Sequence, residues 1–312
     1  MCGISGIVAD GDQQKNIEAM CRMLVHRGPE NTSIYRYENV WLGHNRLRII
    51  DIETGDQPIF NEDGSVGVVF NGEIYNFMEI KADLEEKGHT FKTTSDTEIL
   101  VHLYEEKGIE MFDKLNGIFA FAILDKNRNR IILARDHFGV KPLFYYERGG
   151  KLVFGSEAKA ILTHPDVPRK RNDHATHLLA NLRYVQSEQT LFKDIHHVPP
   201  GSYLVHENGK SKVSRYYEFN PEVQDISFED AKDGIQARLK EAVRRQLISD
   251  VPIGVYLSGG IDSSSLVAMM SELGVDDIRT FTLGFNEPTD EFDSAKMIAD
   301  QFSTNHQTLS LD

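Results

Sequence analysis

The chain opens with Met1-Cys2-Gly3, and this start is the first place where residue types point to chemistry. Removal of Met1 would leave Cys2 with both a thiol and a free α-amine. An α-amine has an ordinary pKa of about 8, so it can take the proton of the neighbouring thiol near neutral pH. Cys2 would then be a self-activated nucleophile without a histidine partner. The alternative is a buried cysteine with no chemical role, and Cys2 alone does not separate the two.

Polar residues further along the chain have the chemistry to bind a small amide substrate. Asn71 and Gly72 follow an apolar run, and their side-chain amide and N–H can stabilise one oxyanion. Asn-Gly is equally the commonest hairpin turn. Arg46 can hold a carboxylate with two parallel hydrogen bonds or form a surface ion pair. Asp96 can pair with an ammonium group or cap a helix.

A second chemical motif lies at residues 258–264, with the sequence SGGIDSS. Its glycines let the backbone approach a ligand, and a helix start offers free N–H groups to an anion. Ser258, Ser263 and Ser264 add hydroxyl donors, and Asp262 can reach a Mg²⁺ ion. The pattern suits a pyrophosphate group and is neither a Walker A loop nor a dinucleotide GxGxxG turn. The alternative is an ordinary capped strand-to-helix turn.

The elements that hold the first group of residues are predicted to be layered sheets with helices outside. Helical patterns, ended by glycines, cover residues 76–87 and 97–107. Apolar runs typical of buried strands cover residues 4–9, 66–70, 118–124, 130–134 and 142–146.

After residue 226 the pattern changes to alternating helix and strand. A linker is predicted at residues 205–226, and a long helix follows at 227–249. Strand and helix patterns then alternate at residues 251–257, 261–273, 279–285 and 291–302. This alternation predicts a parallel, doubly wound α/β sheet.

Composition excludes several classes of function. The 312 residues carry a formal net charge of −14, which argues against a nucleic-acid or anionic-membrane surface. With two cysteines, no disulfide framework is expected, and a reducing, cytoplasmic location fits. No apolar run is long enough for a membrane helix. Neither CxxC nor HxxxH spacing occurs, so no metal site is predicted.

Taken together, the motifs resemble the class II, N-terminal-nucleophile glutamine amidotransferases, in the arrangement found in glutamine-hydrolysing asparagine synthetases. The matching segments are residues 1–6 (MCGISG), 26–30 (HRGPE), 43–51 (GHNRLRIID), 70–76 (FNGEIYN), 95–98 (SDTE), 135–145 (RDHFGVKPLFY) and 155–160 (GSEAKA). The resemblance implies a four-layer αββα hydrolase domain at residues 2–204. After the linker it implies the first part of an α/β, ATP-pyrophosphatase-type synthetase domain at residues 227–312.

The resemblance also implies roles for individual residues. Cys2 would attack the glutamine amide and release ammonia, with Asn71 and Gly72 as the oxyanion hole. Arg46 would hold the α-carboxylate, while Glu73 and Asp96 would fix the amino group. The remaining residues implied to line the glutamine pocket are Leu47, Arg48, Ile49 and Ile50. Asp136, Lys141, Pro142 and Cys21 are expected to be structural.

In the second domain, the resemblance implies an ATP site in which ATP, with Mg²⁺, adenylates aspartate and ammonia attacks the product. The implied ATP-binding residues are Leu257, Ser258, Gly259, Gly260, Asp262, Ser263, Ser264, Leu283 and Gly284. The short second domain leads us to expect a truncated chain that is mainly a glutaminase. Another carboxylate acceptor, a non-catalytic binding fragment, and a homodimer or a complementary C-terminal synthetase chain as partner remain open.

Overall fold

The structure is a computed structural model that describes residues 1–186 and 188–311. Clustering of the backbone separates two compact units, Met1–Asn220 and Pro221–Asp312. The strands of the first unit are β1 Gly3–Val8, β2 Asn31–Tyr37, β3 Val40–Arg46, β4 Ile59–Phe60, β5 Val66–Ile74, β6 Gly117–Asp125, β7 Arg130–Arg135, β8 Phe144–Arg148, β9 Lys151–Gly155, β10 Ile195–His197, β11 Ser202–Glu207 and β12 Lys210–Arg215. Its α-helices are α1 Gln14–Leu24, α2 Phe77–Glu86, α3 Ile99–Lys107, α4 Ala158–Ile161 and α5 Asp173–Leu182.

These strands form two antiparallel sheets. The first sheet has the order β10-β8-β9-β1-β3-β2, and the second has the order β12-β11-β7-β6-β5-β4. Side chains alternate along each strand, so every strand can contribute to two layers. Ile4 and Val8 of β1 pack into the cluster shared by both sheets, whereas Ile7 and Ala9 pack on the other face.

Helices cover the outer faces of the two sheets. The cluster behind the first sheet contains Ile17, Met20 and Leu24 of α1 together with Ala160 of α4. On the second sheet, α3 contacts β5 and α2 packs against α3. The predicted αββα layering of the first unit is therefore confirmed.

The predicted linker is wrong over its first half, because residues 202–215 form the hairpin β11–β12 at the edge of the second sheet. Alternating burial along β11 places Leu204 in the core between the sheets. The turn contains Asn208 and Gly209, both with positive φ, as a two-residue hairpin loop requires. The Asn-Gly signal was present in the sequence at this position, while Asn71-Gly72, where a turn was the alternative, lies inside strand β5.

The second unit contains a small parallel sheet. Its elements are α6 Phe228–Gln246, β13 Gly254–Tyr256, α7 Ile261–Glu272, β14 Arg279–Gly284, α8 Phe292–Gln301 and β15 Asn305–Ser310. The strands pair in parallel in the order β13-β14-β15. Ser227 caps α6 by accepting the Asp230 N–H at 3.1 Å. The predicted partial parallel α/β domain is confirmed, although β13 is shorter than the predicted strand.

Among the described residues, no helix combines the length and the apolar character needed to cross a bilayer.

Candidate active site

Cys2 lies immediately before β1, at the mouth of the space between the two sheets. Strand alternation places it in phase with Ile4 and Val8, which face the opposite sheet. The Leu47 N–H approaches the Cys2 sulfur at 3.4 Å, and the Leu47 carbonyl lies 3.6 Å from it. Burial raises the pKa of this thiol, and the contact with Leu47 only partly offsets that effect. Deprotonation of the thiol therefore requires a nearby base.

Asn71 faces the same space from strand β5, in phase with the buried Val69. Its side chain is 1% exposed. Within the described part of the chain, neither the oxygen nor the nitrogen of its amide makes a hydrogen bond. Leaving a buried polar group unpaired costs about 1–3 kcal/mol, so this amide is poised for a ligand.

The N–H of Gly72 points toward the same cavity edge. On β6, the paired residue Phe119 directs both its N–H and its C=O to Asp136, away from β5. Gly72 and Phe119 are therefore a non-hydrogen-bonded antiparallel pair, and the Gly72 N–H points outward from β5. On that edge, Gln57 accepts the Phe70 N–H at 2.6 Å and Asp96 accepts the Ile74 N–H at 2.9 Å. The Gly72 N–H lies between these two.

Only glycine fits at position 72. A Cβ atom there would lie 2.2 Å from the Ile118 carbonyl oxygen and 2.7 Å from the Phe119 Cα. Both are backbone atoms, so a side chain would separate β5 from β6 beside the site.

Arg46 occupies the end of β3 and is almost fully buried, so the ion pair considered from the sequence forms through a buried guanidinium, with the half-exposed Asp56 as its partner. Its guanidinium donates to the Asp56 carboxylate and to the Asp51 carbonyl. These partners fix its orientation at the cavity. A guanidinium has five N–H donors, so a bound carboxylate can be held in addition.

Acidic groups and a lysine lie at the other side of the cavity. Burial raises the pKa of Asp96 to about 7, and the nearby Glu73 adds to the effect. Burial also raises the pKa of Glu73, while Lys141 opposes that shift. The pKa of Lys141 is lowered by burial. A cationic group bound here would therefore pair with the carboxylates of Asp96 and Glu73, the latter of which has Lys141 as a nearby positive charge.

The structure brings together nearly all the predicted glutamine-site residues in one cavity, namely Cys2, Arg46, Leu47, Ile49, Ile50, Asn71, Gly72, Glu73 and Asp96. Arg48 is the exception. Its N–H bonds to Glu30, and its guanidinium lies 3.7 Å from Asp56 rather than lining the cavity.

Seven lining residues were not assigned to the site from the sequence, and Lys141 and Gln57 are the two whose side-chain contacts matter most: the full set is Met1, Gly55, Gln57, Phe70, Ser95, Thr97 and Lys141. Lys141 was expected to be structural, yet it faces the cavity with Cys2 and Glu73. Gln57 carried no sequence signal, although its amide positions β5 through Phe70. Asp136 does act structurally, because it accepts the N–H groups of Phe119, Phe138, Val140 and Lys141. Cys21 is in the core, as expected.

In the second unit, the 258–264 segment forms a tight turn into α7. Gly259 has φ of +77°, and a Cβ there would lie 2.6 Å from Ser294. The hydroxyls of Ser258 and Ser263 lie 3.0 Å apart, and Ser258 also accepts the Gly260 N–H. The Ser264 hydroxyl is buried and makes no hydrogen bond in the described chain.

The other predicted nucleotide residues surround this turn at the ends of β13 and β14. Leu257 is buried, while Leu283 and the turn residue Asp262 are exposed. Gly284 is closely approached by the Phe292 ring, so a larger residue does not fit there.

Comparison with known proteins identifies the family. The chain belongs to the glutamine amidotransferase domain family, which it matches over residues 1–217, as the sequence motifs predicted. Residues 234–312 match the asparagine synthase family.

Individual relatives agree with this assignment. "Asparagine synthetase [glutamine-hydrolyzing] 3" of Bacillus subtilis is 34% identical over 98% of this chain and 53% of its own length. "Amidase chry2" of Gibberella zeae is 35% identical over 88% of this chain and 43% of its own. The chain thus spans about half the length of these curated relatives.

A solved structure shares the fold. The glutamine phosphoribosylpyrophosphate amidotransferase of B. subtilis aligns with a TM-score of 0.52 and 20% identity, covering 98% of this chain and 65% of that one.

Proposed function

We propose that this chain hydrolyses glutamine at Cys2 and supplies the ammonia to an ATP-dependent amidation. The observation that carries the proposal is the buried, unpaired amide of Asn71, which shares one cavity with the Cys2 thiol. A thiol nucleophile opposite a donor without a partner suits acyl transfer through a tetrahedral intermediate.

The proposed reaction begins when removal of Met1 exposes the α-amine of Cys2. The amine takes the thiol proton, and the thiolate attacks the side-chain carbonyl carbon of glutamine. The Asn71 amide and the Gly72 N–H stabilise the oxyanion. The protonated amine then gives its proton to the leaving nitrogen, and ammonia departs. Water hydrolyses the resulting thioester to glutamate and restores Cys2.

The surroundings favour a neutral amine as the base. Burial lowers the pKa of the Met1 α-amine, and Lys141 and Arg27 lower it further. Removal of Met1 transfers the α-amino terminus to Cys2, which lines the same cavity as Met1 and Lys141. A neutral amine can accept the thiol proton at physiological pH.

Arg46 and the acidic pair are proposed to hold the other end of glutamine. The buried guanidinium of Arg46 would bind the α-carboxylate, because its orientation is already fixed by Asp56. Asp96 and Glu73 would take the ammonium group, which would lower the raised pKa of each carboxyl.

The turn at residues 258–264 is proposed to bind the phosphates of ATP. The unpaired Ser264 hydroxyl, and a Gly259 backbone that excludes a side chain, suit close approach of an anion. The adenine and ribose would lie near Leu257, Leu283 and Gly284. Asp262 would hold Mg²⁺, which neutralises phosphate charge when bound.

We further propose aspartate as the acceptor, which would make the product asparagine in the cytoplasm. The support is the match of residues 234–312 to the asparagine synthase family. The second candidate is the alternative that the sequence left open, in which another carboxylate is amidated. Comparing acceptors for ATP-dependent pyrophosphate release in the presence of glutamine separates the two.

The decisive experiment for the first step is a glutaminase assay combined with mass spectrometry of the N-terminus. We expect Met1 to be absent, glutamate to form, and a glutamine analogue with an electrophilic side chain to label Cys2. Cys2→Ala should abolish the activity, whereas Cys21→Ser, the matched control, should retain it. Undiminished glutamate release by Cys2→Ala would show that the chemistry lies elsewhere.

A further inference from the structure

A cluster of two histidines and two glutamates lies between the loop after β4 and helix α3. It consists of Glu62, His89, His102 and Glu105. Each residue offers one ligand atom, and these four atoms all lie within 4.8 Å of one another. The glutaminase cavity contains none of the four among its lining residues. The sequence spacing did not predict the cluster, because only His102 and Glu105 are close in sequence, three residues apart on α3, and the other two members come from separate segments.

His102 lies at the centre of this cluster. Its side chain is 0% exposed, and its Nδ1 lies 3.1 Å from Glu62 Oε2 and 3.5 Å from Glu105 Oε2. Neither ring nitrogen makes a hydrogen bond of acceptable geometry within the described residues. A fully buried imidazole that faces carboxylates without such a bond indicates that an additional group belongs between them.

The distances match the requirements of a small cation. A tetrahedral zinc ion with bonds of about 2.0–2.1 Å separates its ligand atoms by about 3.3 Å. The separations from His102 Nδ1 to Glu62 Oε2 and Glu105 Oε2 fall on either side of that value, while His89 Nδ1 lies 3.2 Å from the other Glu62 oxygen, Oε1, and the four ligand atoms as a set lie within 4.8 Å of one another. Small shifts of these side chains would bring the four ligand atoms to tetrahedral distances around one ion.

Each ligand also has an outer partner, as metal ligands in proteins usually do. His89 Nε2 lies 3.3 Å from Glu106, and His102 Nε2 lies 3.7 Å from Glu98. The remaining partners are Asn61, which donates to Glu105 at 2.8 Å, and the Thr90 N–H, which donates to Glu62 at 2.9 Å. The Nε2 atoms thus lie beside the outer glutamates, while the Nδ1 atoms of His89 and His102 lie 3.2 and 3.1 Å from the two oxygens of Glu62.

We propose that Glu62, His89, His102 and Glu105 form a structural zinc site. Two neutral imidazoles and two carboxylates balance the charge of Zn²⁺, and the N₂O₂ set suits its tetrahedral preference. The ion would tie the loop after β4 to helix α3 and to the segment after α2. The sequence spacing predicted no metal site, and the proposal departs from that prediction.

The competing occupant is a proton on His102. Burial by itself would lower the pKa of His102, but Glu98, Glu62 and Glu105 outweigh it and raise that pKa. A protonated His102 would make the cluster an ion-pair network without a metal. Zinc and a proton compete for the same nitrogen, so direct metal binding distinguishes them.

The test is zinc binding by the intact protein after treatment with a chelator, measured by competition with a chromophoric indicator. We expect one zinc per chain, and visible absorption bands of tetrahedral Co²⁺ when cobalt replaces it. Glu105→Gln keeps the acceptor for Asn61 but removes the charged ligand, so it should lose stoichiometric binding, as should His89→Gln. Glu106→Ala should weaken binding roughly tenfold to a hundredfold through the outer partner.

Two controls keep the result specific. His174→Gln, on the exposed side of α5, and Cys2→Ser should both bind zinc as the unmodified chain does. Circular dichroism confirms that each variant is folded before titration. Failure of the folded chain to bind zinc, or unchanged binding by both Glu105→Gln and His89→Gln, would overturn the proposal and leave the proton as the occupant.

Discussion

At the scale of single residues, the Asn71 side chain combines an unpaired buried amide, which costs folding free energy, with its proposed role in the oxyanion hole. Its amide is buried without hydrogen-bond partners, an arrangement that proteins rarely keep. An oxyanion that forms only during the reaction would supply the missing partner. Donors preorganised in this way stabilise the transition state more than the bound substrate.

Asn71→Ala should therefore lower kcat for glutamine hydrolysis by about 10²–10³-fold with little change in KM. Its Tm should fall less than usual for a buried asparagine, because no hydrogen bond is lost. Asn61→Ala is the matched control, since Asn61 is equally buried but its amide nitrogen lies within hydrogen-bond distance of Asp63, Ser65 and Glu105 and shares its two N–H groups among them. That variant should lose stability and keep kcat. The same loss of kcat in both variants would contradict the assigned role.

The buried carboxyl of Asp96 should make the stability of the folded protein depend on pH. Its folded pKa of about 7 lies above the ordinary aspartate value of 3.8, so the folded state binds the proton more tightly than the unfolded state. Stability is then lost as pH rises from about 4 to about 7, at up to about 1.4 kcal/mol per pH unit.

Asp96→Asn removes this titration but keeps an acceptor for the Ile74 N–H. Its Tm relative to the unmodified protein should be higher at pH 8 than at pH 5, and its KM for glutamine should rise. Thermal melts at both pH values and steady-state kinetics measure the two effects. A Tm difference independent of pH would contradict the raised pKa.

The sequence predicted much of the glutaminase centre because motif residues fall in phase on β1, β3 and β5. Cys2, Arg46 and Asn71 each share a strand face with apolar residues of the inter-sheet core, so they converge where the sheets meet. Lys141 and His102 escaped assignment for a different reason. Glu73 beside Lys141, and Glu62 and His89 beside His102, are distant from them in the chain. Glu98 and Glu105 are near His102 in sequence, but charge pairs at these spacings are common on any helix.

At the scale of elements, two glycines of the second unit allow the cost of backbone strain to be distinguished from the cost of a steric clash. Gly259 and Gly274 both have positive φ, at +77° and +72°. A Cβ at Gly259 would meet Ser294 at 2.6 Å, whereas nothing lies within 4 Å of one at Gly274. The two positions therefore share the conformational cost of a side chain and differ in the clash.

Gly274→Ala should destabilise the second unit by about 1–2 kcal/mol through strain alone. Gly259→Ala should cost distinctly more, and it should also displace the turn that carries the proposed phosphate site. Chemical denaturation of both variants measures the difference. Equal losses would show that the turn relaxes away from Ser294.

The Asn-Gly pattern in the sequence did not distinguish a hairpin turn from a continuing strand. The Asn-Gly pair at 208–209 is a hairpin turn, while the identical pair at 71–72 continues a strand. The backbone preference is the same at both sites, and tertiary context decides between them. At 71–72, pairing with Ala120 and Phe119 of β6 extends the strand through both residues.

At the scale of the whole molecule, the glutaminase centre and its supporting core lie within the first unit. All residues of the cavity and of both sheets precede Asn220, and the two large core clusters do as well. A unit with its own core is expected to unfold cooperatively by itself. Catalysis at Cys2 draws on no residue of the second unit in the proposed mechanism.

A protein consisting of residues 1–220 should therefore fold, show a single unfolding transition, and hydrolyse glutamine at a rate comparable to that of the longer chain. Its Cys2→Ala variant, with the same fold, supplies the background rate. Calorimetry tests the cooperativity, and the release of glutamate tests the chemistry. A folded but inactive fragment would mean that residues beyond 220 complete the site, because the core would then be intact while the catalytic arrangement is not. An unfolded fragment would instead place part of the stability of the first unit in contacts outside it.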